Sequence, residues 1–200
     1  MECNEHTIFN IQPPNGNGIS DVQSFLNSLG KKYGIRETLL VKRDDLCVAE
    51  WVRLKCEYSC GEHGKNWCCP PETPGIEQVK AILKDYEKAV LLFTGKERNL
   101  TTNKEQRRHK RIRIWKGIVA LERRLFSEGY RKAFGLVSCK CSLCKRCSYP
   151  GNCMFPKYKR PSVKSFSIDI SQTLRNIGPQ FDIQKHDDQD CACSGIILLD

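Results

Sequence analysis

The sequence predicts a single α+β domain, spanning residues 1–200, in which helices flank a mixed β-sheet that carries two cysteine-rich loops. Three observations predict this class. Short aliphatic or β-branched runs alternate with longer segments of helical periodicity through the middle of the chain. The 200 residues are 40% hydrophobic, which is enough for one core, and they contain no internal repeat and no low-complexity linker. The cysteines cluster at two places, each expected to follow a strand.

The apolar pattern predicts the elements of the first half in order. A helix is expected over residues 20–32, where apolar side chains recur every three or four positions. Two segments, 38–41 and 47–54, are rich in aliphatic and β-branched residues and are expected to be strands leading into the first cysteine cluster. A second helix is predicted over 76–88, and 90–93 is a short buried strand.

The second half begins with a long helix over residues 103–128, for which Ile112, Trp115, Ile118, Val119, Leu125 and Phe126 are the expected inward residues. A strand over 133–137 leads into the second cysteine cluster, and a short helix over 170–176 and a strand over 195–199 complete the domain. Strand, helix and strand therefore alternate through the middle of the chain.

Cysteine is unusually abundant, with 13 among 200 residues. An odd count, with no basic and apolar leader at the N-terminus, argues against a secreted disulfide scaffold and predicts a cytoplasmic protein. No apolar run approaches the roughly 20 residues that a membrane helix needs. Nine of the cysteines lie within residues 56–69 and 139–153. In a reducing compartment such clustering is typical of metal binding, so the loops 56–71 and 139–156 are predicted to bind metal.

The second loop contains Cys141, Cys144 and Cys147 at two-residue gaps, followed by Cys153. This triplet spacing is the one by which ferredoxin loops hold a four-iron cluster, with a further cysteine as the fourth ligand. We therefore expect these four residues to bind one [4Fe–4S] cluster. The alternative is a tetrahedral zinc site on the same four sulfurs, although zinc sites favour two separated CxxC pairs.

The first loop contains Cys56, Cys60, Cys68 and Cys69, and a proline follows the last of them. We expect Cys56, Cys60 and Cys69 to bind a second [4Fe–4S] cluster, because Cys-Pro also closes ferredoxin motifs. The side chains of adjacent cysteines diverge, so Cys68 is left as an uncertain ligand. The fourth ligand is Cys68 itself or one of two late cysteines, Cys191 and Cys193. A zinc site that includes His63 remains an alternative.

Three groups of residues along the chain form a recognisable pattern. They are Lys55-Cys56, Cys60, Gly64-Lys65 and Cys69-Pro70-Pro71; Leu121-Glu122, Phe126, Gly129-Tyr130 and Lys132-Ala133-Phe134; and Cys141, Cys144, Cys147, Cys153, Pro156, Arg160-Pro161-Ser162 and Ile168-Asp169-Ile170. Over most of residues 50–178 the chain resembles a family described as predicted metal-binding proteins, found mostly in anaerobic microbes. The resemblance implies a metal, and it leaves the reaction open.

The chain departs from that family at two positions. After Arg160-Pro161-Ser162 the family usually has a glutamate, and it has a glycine before the Ile-Asp pair. This chain has Lys164 and Ser167 at these places. Any role of the carboxylate is therefore lost, and the backbone turn is expected to differ.

The net charge of +10 is concentrated in residues 96–132, which contain 13 Lys or Arg and four Asp or Glu. The densest run is 107–111. Three interpretations are open: the solvated face of a long helix, a docking surface for an acidic redox partner, and a nucleic-acid-binding surface.

These features support three hypotheses of function. The first is an iron–sulfur protein with two [4Fe–4S] clusters that transfers electrons. The second keeps the clusters and adds catalysis or reductive activation of a partner protein at an open iron. The third, from a different class, is a zinc-stabilised nucleic-acid-binding module. No phosphate-binding glycine loop and no nucleophile–base motif accompany the cysteines.

Overall fold

The computed structural model of the protein describes residues 22–94, 103–178 and 193–200. The strands are β1 (Glu37–Lys42), β2 (Lys88–Phe93), β3 (Phe134–Val137) and β4 (Cys193–Leu199). The α-helices are α1 (Val22–Lys31), α2 (Glu50–Tyr58), α3 (Ile76–Leu83), α4 (Lys104–Ser127) and α5 (Ile170–Ile177). The expected α+β class is confirmed.

The four strands form one sheet in the order β1-β2-β4-β3. Each neighbouring pair of named strands is antiparallel, as at Leu91 opposite Ile196 and Leu136 opposite Ile196. The expectation of a mixed sheet is therefore corrected. Along the sequence, β2 precedes the long helix α4 and β3 follows it. In the sheet the two strands run in the same direction, as strand–helix–strand alternation predicts. They are not neighbours, however, because β4 lies between them and runs antiparallel to both.

Helices cover both faces of the sheet. One core contains residues of α1 and α4 with alternate strand residues such as Val90 and Ile197. The other contains residues of α3 and α5 with the intervening residues, such as Leu91 and Ile196. Because successive side chains of a strand point to opposite faces, a central strand buried on both sides is apolar throughout. This explains the unbroken apolar runs of β2 and β4.

The helix α4 approaches the sheet closely at two glycines. A Cβ atom at Gly195 would lie 2.5 Å from Ile118 Cδ1 and 2.6 Å from the Leu136 carbonyl oxygen. A Cβ atom at Gly135 would lie 2.9 Å from both Ile118 Cγ2 and Glu122 Oε2. Only glycine permits this approach, which brings the cysteine-bearing chain after β3 beside α4.

The long helix follows its prediction closely. It runs from Lys104, with Asn103 capping the backbone N–H of Gln106, to Ser127. Trp115, Ile118, Val119 and Leu125 are buried as expected, and Ile112 is half-buried. Phe126 was expected to face inward but is 48% exposed, and the Arg131 guanidinium lies over its ring. Position 126 therefore lies just beyond the buried stripe of the helix.

The predicted strand over 47–54 is wrong, because α2 begins at Glu50 and extends through Cys56. Tertiary hydrogen bonds explain the difference. The Cys47 N–H donates to Thr173 Oγ1 at 2.9 Å, and the Ala49 N–H donates to the Ser167 carbonyl oxygen at 2.8 Å. These bonds hold residues 47–49 against α5 and against the segment that precedes α5. The first cysteine loop therefore follows a helix and not the predicted strand.

The helix predicted over 76–88 is too long: α3 ends at Leu83, and Lys88 already belongs to β2. The helix α5 ends at Ile177, one residue beyond the predicted range. The first two residues of the helix predicted over 20–32 lie outside the described residues. None of the described helices is long and apolar enough to span a membrane.

Candidate functional site

The first cysteine loop begins within α2 and returns on itself. Cys56 is buried in the helix, Cys60 is exposed just beyond its end, and Cys69 is buried before Pro70. The loop closes where the Gly64 N–H donates to the Pro70 carbonyl oxygen at 2.8 Å, with Gly64 at a φ of 63° that favours glycine. Residues far apart in the loop are thereby brought together.

Three of the four thiols of this loop, Cys56, Cys60 and Cys69, lie within electrostatic range of one another. Burial is the main reason that the pKa of Cys69 is raised to about 11. The charges of Cys60 and Cys56 raise that pKa further, while a hydrogen bond from Asn66 opposes them. Burial and then the charge of Cys60 raise the pKa of Cys56. The charges of Cys56 and Cys60 therefore act on Cys69, and the charge of Cys60 acts on Cys56.

Four of the five cysteines of the second loop show a similar mutual influence. Burial is the first cause that raises the pKa of Cys144, followed by the charges of Cys141, Cys147 and Cys153. The Arg108 guanidinium lowers it. A metal site with several thiolate ligands needs such cations, because adjacent thiolates repel one another.

The basic helix α4 anchors this second loop. Arg108 Nη2 donates to the Leu143 carbonyl oxygen at 3.2 Å, and Arg111 Nε donates to Ser142 Oγ at 3.2 Å. One turn further, Trp115 Nε1 donates to the Tyr158 carbonyl oxygen at 2.6 Å. Part of the charge that the sequence left open to three interpretations therefore holds the cysteine loop.

The two cysteine loops pack against each other. Trp67 Nε1 in the first loop donates to the Gly151 carbonyl oxygen in the second at 3.0 Å. The Trp67 ring meets the Tyr149 ring edge-to-face at a centroid distance of 5.1 Å. Lys140 Nζ pairs with Glu62 Oε1 at 2.5 Å. An ion pair, a hydrogen bond and an aromatic contact thus join the two loops into one site.

Cys68 and Cys69 face different partners. The charges of Cys60 and Cys56 act on Cys69, whereas the first neighbour that acts on Cys68 is Cys141 of the second loop. The nearby Cys68 thiol lowers the pKa of Cys141 to about 7, and Cys141 raises the pKa of Cys68. The side chains diverge, as expected for adjacent residues.

The type of donor fits a thiophilic metal. The eight cysteines of the predicted site are free thiols: Cys56, Cys60, Cys68, Cys69, Cys141, Cys144, Cys147 and Cys153. Thiolates beside cations suit zinc and iron–sulfur clusters. Within 22–94, 103–178 and 193–200, no three Cys, His, Asp or Glu side chains are arranged to hold one metal ion. The ligand set therefore remains a prediction.

The family comparison agrees with this donor chemistry. Residues 40–199 match the family described as predicted metal-binding protein (DUF2284). The chain belongs to this family. No curated protein matches it significantly, and no solved structure does. Membership of DUF2284 supports a metal cofactor in general, without specifying which one.

Of the two late cysteines, one lies in the described part of this DUF2284 chain. Cys191 lies outside the described residues. Cys193 is buried in β4 with the core on the α3 and α5 face, and its Sγ lies 3.3 Å from the Gly195 carbonyl oxygen. Cys68 and Cys141 belong to the core on the opposite face. His63, the other candidate ligand, is exposed.

Sequence reasoning missed one structural pair of the DUF2284 chain. Arg160 binds Glu122 of α4, with Nε to Oε2 at 2.6 Å and Nη2 to Oε1 at 2.5 Å. Both residues belong to the family pattern, but no local signal in the sequence relates them.

The two departures from the family pattern lie beside the first loop. Lys164 begins a 3₁₀ helix (Lys164–Phe166), and its charge lowers the pKa of Cys56, though less than burial raises it. Ser167 has a φ of 57°, the left-handed conformation that glycine adopts freely. Serine therefore occupies a left-handed position of the backbone in this chain.

Proposed function

We propose that this protein binds one [4Fe–4S] cluster in each cysteine loop and acts in single-electron transfer or in reductive activation of a partner protein. The observation that carries the proposal is the direct packing of the two cysteine loops, joined by the Trp67–Gly151 hydrogen bond, the Trp67–Tyr149 ring contact and the Lys140–Glu62 ion pair. Two redox groups held this close together suit stepwise passage of electrons from a donor to an acceptor.

The residues that would hold the second cluster are Cys141, Cys144, Cys147 and Cys153. Their CxxCxxC spacing supports iron–sulfur over zinc. In the first loop Cys56, Cys60 and Cys69 would be the ligands, and three thiolates leave one position for another donor. When bound, each cluster supplies a one-electron couple.

The chain itself supplies charge compensation and shielding. Arg108 and Arg111 place guanidinium groups against the second loop, where positive charge favours thiolate and offsets the charge of a thiolate-bound cluster. In the first loop Lys164 has the corresponding effect on Cys56. Trp67, half-buried between the loops, excludes water from one side of the site.

The exposed positive charge on and around the second loop fits an acidic redox partner. Lys104 and Arg107 are exposed on the half of α4 that anchors the second loop, and Lys145 and Arg146 are exposed in the loop itself. Complementary charge speeds encounter and orients docking. We place the partner over this surface, because it lies closest to the CxxCxxC cysteines.

Anaerobic purification followed by iron, acid-labile sulfide and zinc analysis tests the proposal. We expect a brown protein with broad absorption near ~400 nm and iron and sulfide in equal amounts. Cys144→Ser should lower both, while Cys47→Ser, at a half-buried cysteine outside the loops, should not. A colourless protein with stoichiometric zinc would replace the proposal with the zinc-stabilised nucleic-acid-binding module.

A further inference from the structure

One arginine side chain joins the two ends of the first cysteine loop. Arg53 lies in α2, one turn before Cys56, and its Nη1 donates to the Pro74 carbonyl oxygen at 3.2 Å. Pro74 stands just beyond the Cys-Pro end of the loop. This bond therefore connects the helix from which the loop departs with the segment through which it leaves.

A second bond fixes the orientation of the Arg53 guanidinium. Its Nε donates to Glu57 Oε1 at 2.7 Å, one turn further along α2, and the Arg53 side chain is 16% exposed. A guanidinium presents its N–H groups in a planar fork, so it can bond a carboxylate and a carbonyl oxygen together. A lysine ammonium on its flexible stem lacks this geometry.

The segment that Arg53 bonds is also attached to Cys69. The Glu72 N–H donates to the Cys69 carbonyl oxygen at 3.0 Å, which closes a tight turn at the end of the loop. On its other side, the buried Thr73 hydroxyl donates to the Ser165 carbonyl oxygen at 3.4 Å. The position of Cys69 therefore depends on how residues 72–74 are held.

We propose that Arg53 is a positioning residue of the first metal centre: its bond to the Pro74 carbonyl oxygen holds the exit of the loop, and with it Cys69, against α2. Cys56 lies on α2 itself, three residues after Arg53 and on the same side of the helix. The bond thus fixes two predicted ligands relative to each other. The inference rests on the proposed metal binding by the first loop.

The second loop has a corresponding contact. Arg108 of α4 donates from Nη2 to the Leu143 carbonyl oxygen at 3.2 Å. In both loops a guanidinium on a helix bonds a backbone carbonyl oxygen, so no thiol is used to hold the loop. A guanidinium is always charged, so each arginine also favours the thiolate form of nearby cysteines.

Chelator competition on the metal-loaded full chain tests the proposal with Arg53→Ala and Arg53→Lys. Loss of a group that orients a ligand commonly weakens metal binding by 10- to 100-fold, so both variants should release the first-loop metal at a chelator concentration about 10-fold lower. Release from the second loop should be unchanged. Cys56→Ser and Cys144→Ser, each without one predicted ligand, identify the two release phases.

The matched control is Arg124→Ala. It breaks the Arg124–Glu128 pair of α4, which has the same four-residue spacing and an N–O distance of 2.6 Å. We expect this variant to release the metal of both loops as the unsubstituted protein does.

Hydrogen exchange of the metal-free chain tests the Arg53–Pro74 bond without the metal. The Gly64 and Glu72 amide hydrogens bond the Pro70 and Cys69 carbonyl oxygens. Both amides should exchange faster in the Arg53 variants and at an unchanged rate in Arg124→Ala. If the unsubstituted protein binds no metal in its first loop, the proposed function fails, and the exchange rates alone then decide whether Arg53 holds the loop.

Three results would overturn the proposal. The first is unchanged release and exchange in Arg53→Ala, and the second is equal loss of metal from both loops, which would indicate a general loss of stability. The third is full retention by Arg53→Lys, which would assign the effect to positive charge and not to the bond. Should Arg53→Ala fail to fold, Arg53→Lys decides.

Discussion

Arg160 and Glu122 form a bidentate ion pair, with donor–acceptor distances of 2.6 and 2.5 Å between nearly buried side chains. Glu122 Oε2 also accepts the Gly135 N–H at 2.8 Å. One carboxylate thus connects α4, the edge strand β3 and the segment that follows the second cysteine loop. The pair positions the loop although neither residue belongs to the predicted ligand set.

Removing one partner of this pair should destabilise the fold. Glu122→Ala leaves the Arg160 guanidinium, whose side chain is 13% exposed, without its carboxylate. We expect a loss of about 3 kcal/mol in the free energy of unfolding, measured by denaturant titration. The matched control is Glu77→Ala, which breaks the exposed Lys80–Glu77 pair at 2.7 Å and should cost under ~1 kcal/mol. Equal effects at the two pairs would contradict the structural role.

Ser167→Gly should stabilise the protein. Ser167 adopts a left-handed φ of 57°, and its buried hydroxyl has no hydrogen-bond partner among the described residues. Relief of backbone strain outweighs the added flexibility of the unfolded chain, so we expect a gain of about 1 kcal/mol. The nearby Ser165→Gly should instead destabilise, since the Ser165 hydroxyl donates to the Ser162 carbonyl oxygen at 2.7 Å. Thermal unfolding of both variants measures the contrast, and a less stable Ser167→Gly would refute the strain argument.

Arg108→Ala should weaken metal retention by the second loop. The substitution removes the bond to the Leu143 carbonyl oxygen and the positive charge beside Cys144. We expect about a 10-fold loss in chelator competition. Lys116→Ala removes an exposed charge from the same helix and should leave retention unchanged. Equal retention by Arg108→Ala and Lys116→Ala would assign Arg108 to the solvated surface.

Cys56→Ser should remove the metal of the first loop and spare the second. Cys56 faces Cys60 and Cys69, and serine is a poor replacement for a thiolate ligand. Elemental analysis should show a partial loss, with Cys47→Ser as the unaffected control. Unchanged iron and sulfide content in Cys56→Ser would exclude it from the ligand set.

Charge reversal at Arg107, Lys145 and Arg146 should slow electron exchange with an acidic partner. Exposed charges act over a Debye length, roughly 8 Å at physiological ionic strength, so added salt should slow the unsubstituted protein as well. Lys84→Glu makes the same type of change at an exposed residue after α3, on the opposite side of the sheet, and should have little effect. Stopped-flow reduction measures the rates. If the charge-reversed variant keeps its full rate at low salt, this surface is not the docking site. If that variant instead selectively loses nucleic-acid binding, the alternative function is favoured.

Local pattern was sufficient where an element depends on its own periodicity. The helix α4 and strands β2, β3 and β4 were predicted because apolar side chains recur at the period that each structure buries. The grouping of Cys141, Cys144, Cys147 and Cys153 was likewise implied by a spacing that brings nearby thiols together. The divergence of Cys68 and Cys69 follows from the covalent chain alone.

The tertiary structure decided everything that joins distant parts of the chain. The segment 47–54 has strand-like composition, yet bonds to Thr173 and Ser167 turn it into the entry of a helix. The insertion of β4 between β2 and β3, the Arg160–Glu122 pair and the Trp67–Gly151 hydrogen bond all link residues that no spacing relates. Periodicity reports which face of a segment is buried, whereas the partner that buries it is chosen by packing over the whole molecule.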